Sequence, residues 1–149
     1  MSAFIDTGFL IAFHNVRDVN HTRAVELMKK IVDGEFGTVY TSDYIFDEAV
    51  TLTLIRTRRP EIALTMGKMI LGELTTPFLI LLRVDNEVFE EAWRLFSRYA
   101  ERGLSFTDCT SIALIKKRGI ESIISFDKGF DGIIPVSYTH LTLPTILLV

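Results

Sequence analysis

Four short apolar runs alternate along the chain with stretches whose apolar residues recur at helical spacing. That alternation limits the fold more than any other feature. The runs are "AFID" at 3–6, "TVYTS" at 38–42, "FLILLRV" at 78–84 and "ESIISF" at 121–126. After the first, "TGFLIAFHN" reads as a helix or a loop. "NHTRAVELMKKIVDG" then sets Ala24, Leu27, Met28 and Ile31 on one helical face, with Gly34 as a stop. Ser42 is placed to cap a helix through "DYIFDEAVTLTLIR", and Pro60 opens another through "PEIALTMGKMILGEL". "NEVFEEAWRLFSRYAERG" is amphipathic and closed by Gly103; "SFTDCTSIALIKKRG" ends in basic residues and Gly119. "DKGFDG" reads as a turn and "IIPV" at 133–136 as a last strand. Strands interleaved with helices predict a three-layer α/β/α fold around a central parallel sheet. Ligands of such folds bind at the carboxyl ends of the strands.

The 149 residues suit one domain, with 48% hydrophobic and 23% charged residues, so disorder is not expected. Residues 1–136 carry the pattern. The tail "SYTHLTLPTILLV", 137–149, has no Lys, Arg, Asp or Glu and resembles translated adaptor or vector sequence; a native C-terminal strand or docking segment is the alternative. It falls short of the roughly 20 residues that span a bilayer. A net charge of −3 excludes a generally basic nucleic-acid coat but not a local basic patch. One cysteine, Cys109, allows no internal disulfide and points to a reducing, cytoplasmic setting. The first apolar run has no basic leader and is too short and interrupted for a signal or a membrane span.

The informative residues are carboxylates in apolar settings. Asp6 ends the first strand, where it either caps the next helix or faces a partner, because an ionised Asp buried without one is costly. Glu48 falls on a stripe with Ile45, Leu52 and Ile55; inside that stripe it wants a cation, at its margin it reaches water. Asp43 and Asp47 look like a solvated face near a helix start. Asp108 completes Ser105-x-x-Asp108, a capping-box pattern, yet shares an inward stripe with Ile112 and Ile115. Asp127 follows a core strand, as Asp6 does, and opens a turn; Asp131 reads as a turn residue. Converging carboxylates repel without counter-charge, and the usual remedy is a hard divalent cation, Mg²⁺ or Mn²⁺. His14, His21 and His140 show no zinc-ligand spacing, Cys109 has no thiol partner, and no phosphate-cradling glycine motif is present.

The ordered set "FIDTGFLIA", "DEAVTLTL", "FTDCTSIALIKKRGI" and "IISFDKGFDGI" resembles the PIN-domain family, and more narrowly its VapC-type toxins. The resemblance covers residues 2–136. It implies a metal-dependent ribonuclease whose acidic cluster is Asp6, Glu48, Asp108 and Asp127, accompanied by the hydroxyls of Thr7 and Ser125. It also implies an RNA substrate and a cognate antitoxin protein, with a homodimer allowed and no membrane partner. Arg56, Arg58 and Arg59 in "RTRRP" are the candidate guides for the RNA strand; Lys116, Lys117 and Arg118 are others, though basic helix ends are common for dipole reasons alone. Two rivals stay open: a non-catalytic RNA- or protein-binding module of the same fold, and a receiver-like signalling domain. The second would need two adjacent early acids, and only Asp6 is there. "WRLFSRYAERG" and "IALTMGKMILGEL" offer apolar faces that are mostly core, one of them able to serve as a dimer or antitoxin groove.

Overall fold

A computed structural model of the protein describes residues 1–135. The tail 137–149 and Val136, the end of the expected last strand, lie outside the described residues. The chain runs β1 (Ser2–Ile5), α1 (Thr7–His14), α2 (His21–Val32), β2 (Thr38–Ser42), α3 (Asp43–Thr57), α4 (Pro60–Ile70), β3 (Leu79–Leu82), α5 (Asn86–Tyr99), α6 (Phe106–Arg118) and β4 (Ser122–Ile124). Single 3₁₀ turns at Ala100–Arg102 and Lys128–Phe130 complete it.

The four strands form one parallel sheet in the order β3-β2-β1-β4, with Ile5 level with Ile124 and Ser42 level with Leu82. Ala3, Phe4, Ile5, Ile123 and Ile124 are fully buried, so both faces of the sheet centre are covered. With the right-handed crossovers that parallel strands take, the order β3-β2-β1-β4 sets α1 to α4 on one face and α5 and α6 on the other. That is the expected three-layer arrangement. α3 touches both α1 and α6, so it bridges the two helical layers.

Local chemistry sets the helix ends. The Ser42 hydroxyl accepts from the Ile45 amide at 3.1 Å, and Asp85 accepts from Val88 at 2.9 Å. Side-chain caps of this kind contribute about 1 kcal/mol each. The segment after β1 is a helix rather than a loop, because Asp6 caps it. α4 stops at Ile70, earlier than its apolar pattern; Leu71, Gly72 and Glu73 fold back with their amides on carbonyls of the last turn. The expected strand at 133–136 is not present over 133–135. The amides of Ile133 and Ile134 both turn back to Phe130, and Pro135 has no amide for a ladder; its carbonyl accepts from Ile123 instead.

Two apolar surfaces stay open. Leu54, Leu64 and Leu71 line the outside of the α3–α4 pair, and α5 exposes Phe89 and Trp93.

Candidate active site

Parallel pairing puts the carboxyl ends of all four strands along one edge, and the strand order reverses between β1 and β4. A crevice at such a reversal is where open α/β sheets bind ligands. Asp6 stands at the end of β1 and Ser125 at the end of β4, on either side of it.

Asp6 is 6% exposed. One oxygen, Oδ1, accepts from the Phe9 amide at 2.9 Å and caps α1; the other, Oδ2, accepts a short bond from the Ser125 hydroxyl. Both readings of this residue hold together: it is a cap, and it faces other acids. Burial pushes its pKa up to about 7, against the two hydrogen bonds that favour the anion, and the charges of Asp108 and Asp127 add to the rise.

Asp108 sits at the third position of α6 in a complete capping box. Its Oδ2 accepts from the Ser105 amide at 2.9 Å, and its own amide donates to the Ser105 hydroxyl at 3.0 Å. It also starts the inward stripe of Ile112 and Ile115, both buried. Half-buried, it has a pKa raised chiefly by burial and further by the charges of Asp127 and Glu48.

Asp127 is exposed and caps the turn at Lys128–Phe130. Its Oδ1 accepts from Gly129 at 2.8 Å, while its amide donates to the Ser125 hydroxyl at 2.9 Å. Ser125 thus binds Asp6 and Asp127 at once. Gly129 sits close to its neighbours: a Cβ there would come within 2.8 Å of the Leu104 side-chain tip and 3.2 Å of Asp127 Oδ1, so Leu104 would have to shift.

Of the two places open to Glu48, the structure gives it the margin of the stripe. The buried stripe of α3 is Ile45, Ala49 and Thr53, four residues apart, and Ile55 is 62% exposed. Glu48 is half-buried at the margin of that stripe and joins the other acids through Asp108. Asp43 departs from its reading. It is half-buried, and its Oδ1 accepts from the Val84 amide at 3.1 Å, tying the end of β3 to the start of α3.

Asp6, Asp108 and Asp127 therefore feel one another and Glu48 feels Asp108, and none of the four forms an ion pair among the described residues. They are not drawn into a ligand set: among the described residues no three His, Cys, Asp or Glu side chains stand ready to hold a metal ion. Each of the three Asp keeps an oxygen on a local amide, which holds the carboxylates on their own elements. The donor chemistry nevertheless suits a hard cation, since every group is an oxygen donor. Thr7 adds an observation of its own. It follows Asp6, is buried, and its hydroxyl has no hydrogen-bond partner, as a group meant for a bound water or ion would be. Cys109 offers no alternative chemistry, because burial pushes its thiol up to about 11.

Two positioning residues were not singled out from the sequence. The buried Thr41 hydroxyl donates to the Ile5 carbonyl at 3.1 Å, fixing the residue before Asp6; a polar side chain at a core position of "TVYTS" was the available signal. Arg102 donates to the carbonyls of Gly129 at 3.0 Å and Asp131 at 2.9 Å, clamping the Asp127 turn. In "AERG" it reads only as a basic helix end. Asp131 is the turn residue expected.

Of the basic candidates, Arg56 and Arg59 line a cleft between the far ends of α1 and α3, and Arg59 pairs with Glu61 at 2.7 Å. Arg58 closes α3 in the left-handed conformation, with φ 56°. Lys117 is bound to Asp85 and Glu87.

Comparison with known proteins agrees with this architecture. The profile described as PIN domain matches residues 3–133. The chain is 31% identical over 131 residues to the VapC ribonuclease of Archaeoglobus fulgidus, covering 87% of this chain and 80% of that one. It is 32% identical over 132 residues to the 23S rRNA-specific endonuclease VapC20 of Mycobacterium tuberculosis, covering 87% and 92%. The crystal structure of that VapC20, described as a Sarcin-Ricin loop cleaving toxin, superposes with a TM-score of 0.71 at 30% identity, covering 84% of this chain and 89% of that one. VapBC2 from Rickettsia felis, bound to a DNA fragment from its promoter, shares the fold at a TM-score of 0.63 and 11% identity, covering 91% and 97%.

Proposed function

The chain belongs to the PIN domain family, and from that premise we propose that it is a metal-dependent endoribonuclease and the toxin of a toxin–antitoxin pair. It hydrolyses RNA phosphodiester bonds to leave 5′-phosphate and 3′-hydroxyl ends. What carries the reading is the mutual charge burden of Asp6, Asp108 and Asp127 at the reversal of strand order. Residues 1–136 form the nuclease domain, and 137–149 are an appended non-native tail.

Asp6, Glu48, Asp108 and Asp127 would hold Mg²⁺ or Mn²⁺. Such ions, when bound, supply a water ionised near neutral pH and stabilise the leaving oxygen. The chain's own residues fix that site. Ser125 and the Phe9 amide orient Asp6, the capping box orients Asp108, and the Thr7 hydroxyl is free to orient a water. Arg56, Arg58 and Arg59 guide the anionic strand, which an acidic edge alone would repel. No described helix is long and apolar enough to cross a membrane, and we place the protein in the cytoplasm. Its partners are the RNA, a cognate antitoxin that keeps it inactive, and a second copy in a homodimer.

The open spacing of the carboxylates favours one other reading, a non-catalytic RNA- or protein-binding module of the same fold. Calorimetric titration of Mn²⁺ into the wild type and Asp6→Asn decides between them. The nuclease reading expects binding that the substitution abolishes. A wild type that takes up no Mn²⁺ at millimolar concentration, and cleaves no RNA in its presence, leaves the binding module.

A further inference from the structure

A cleft of about 430 Å³ opens between α1 and its following loop on one side and α3 and α4 on the other. Its lining includes Ile11, His14, Arg17, Arg56, Arg59 and Ile62. That volume falls among pockets that take small ligands, roughly 300–1,000 Å³. Its place is set by the same helices that build the acidic site. Asp6 caps the start of α1 and His14 ends it; Glu48 lies two turns before Arg56 on α3. Eight helical residues rise about 12 Å, so the cleft lies one short step from the carboxylates along the α1–α3 seam.

Three features of the cleft occur together. Arg17 and Arg56 are exposed and form no ion pair among the described residues, which leaves two guanidinium forks for an anion. Ile11 and Ile62 give it apolar wall, which a phosphate alone does not need and a flat base does. His14, half-buried, lines it as well; its Nε2 is covered and has no hydrogen-bond partner, so a base reaches it only when the ring turns. Burial holds the His14 pKa below its ordinary value, so the neutral ring presents one donor and one acceptor nitrogen.

We propose that this cleft is a subsite for one unpaired nucleotide of the RNA, its phosphate between Arg17 and Arg56 and its base on the apolar wall beside His14. The assignment rests on the ribonuclease reading and adds to it a determinant of which RNA is cut. Base edges exposed in single-stranded loops are what such a pocket can read.

The test is two-dimensional NMR of the full chain in chelator, following the His14 ring signals while each of the four 5′-mononucleotides, or inorganic phosphate, is added. At least one mononucleotide is expected to saturate, to shift His14, and to bind at least tenfold tighter than phosphate. Arg17→Ala/Arg56→Ala should weaken it at least tenfold, and His14→Gln should change the ranking of the four bases. Folding of each variant is read from the same spectra. No saturation, phosphate binding as tight as any nucleotide, or a double variant that binds like wild type overturns the subsite. So does displacement of the nucleotide by an acidic peptide of higher affinity, which would give the cleft to a protein partner. Mn²⁺-dependent cleavage of total RNA, run alongside, judges the other reading separately. Cleavage without nucleotide binding refutes the subsite alone; nucleotide binding with neither Mn²⁺ uptake nor cleavage refutes the nuclease.

Discussion

Ser125 donates its hydroxyl to Asp6 across the junction of β1 and β4, joining residues 119 positions apart in the chain. The same oxygen accepts the Asp127 amide, so one small side chain holds the first and last acids of the site in fixed relation. The proton runs from Ser125 to Asp6, and this contact favours the Asp6 anion against the pull of burial.

Ser125→Ala should therefore do two separable things. It leaves a buried carboxylate oxygen and the Asp127 amide without their partner, at a cost of about 1–3 kcal/mol in urea unfolding. It also raises the Asp6 pKa further, so Mn²⁺ affinity should fall most at pH 7 and recover towards wild type by pH 9. Titrations at the two pH values check this. A deficit of equal size at both would mean that Ser125 acts on geometry rather than on the proton.

Asp6 makes stability depend on pH in a direction opposite to that of a salt-bridged Asp. Its folded pKa is about 7 against an ordinary 3.8. Between about pH 4 and 7 the folded chain keeps a proton that the unfolded chain has released, so stability falls as pH rises through that window and levels off above it. Asn at this position keeps the cap and cannot ionise. Asp6→Asn should match wild type near pH 4 and exceed it by pH 8 in chelator, with a ceiling on the order of 4 kcal/mol. Urea unfolding across that range is the measurement, and a difference that stays constant with pH would show that Asp6 is ionised throughout.

The capping box of α6 lets structure and chemistry be told apart at one residue. Ser105→Ala removes the hydroxyl that accepts the Asp108 amide and should cost about 1 kcal/mol. Asp108→Asn retains an oxygen for the Ser105 amide and relieves the raised pKa, so its melting temperature should equal or exceed that of wild type while RNA cleavage is lost. A destabilised Asp108→Asn that still cleaves would reduce Asp108 to its cap.

What could be read in advance follows from the range of each interaction. The Asp6, Ser42 and Ser105 caps and the closing Gly119 are decided within a few residues and stand where the sequence puts them; Gly103 closes the 3₁₀ turn after α5 rather than α5 itself, which ends at Tyr99. The parallel sheet followed because buried strands alternate with helices along the whole chain. Glu48 takes the margin rather than the interior of its stripe because the buried face of α3 runs through Ile45, Ala49 and Thr53, while the line through Glu48 and Leu52 leads to Ile55, which is 62% exposed. The Asp43–Val84, Thr41–Ile5 and Arg102–Gly129 contacts join residues 27 to 41 positions apart, and nothing local names their partners, although Thr41 shows as a polar residue at a core position. Over 133–135 the expected strand gives way to a turn, because the Ile133 and Ile134 amides go back to Phe130 and Pro135 has none to donate.

Arg102 gives the last prediction, because it touches none of the acids and still governs one. Its guanidinium holds the carbonyls of Gly129, inside the turn that Asp127 caps, and of Asp131, just after it. Both bonds are exposed, so Arg102→Ala should lower global stability by only about 1 kcal/mol. The turn itself should loosen. Its amides are held by Asp127 Oδ1 and the Lys128 carbonyl, weak anchors once the clamp is gone. Hydrogen exchange at Gly129 and Asp131 should accelerate at least tenfold while β1 and α6 keep their protection. If Asp127 needs a fixed turn to act, cleavage should fall in step with that acceleration. Faster exchange with undiminished cleavage would show that Asp127 works from a mobile turn, and unchanged exchange would show that the Asp127 cap alone holds it.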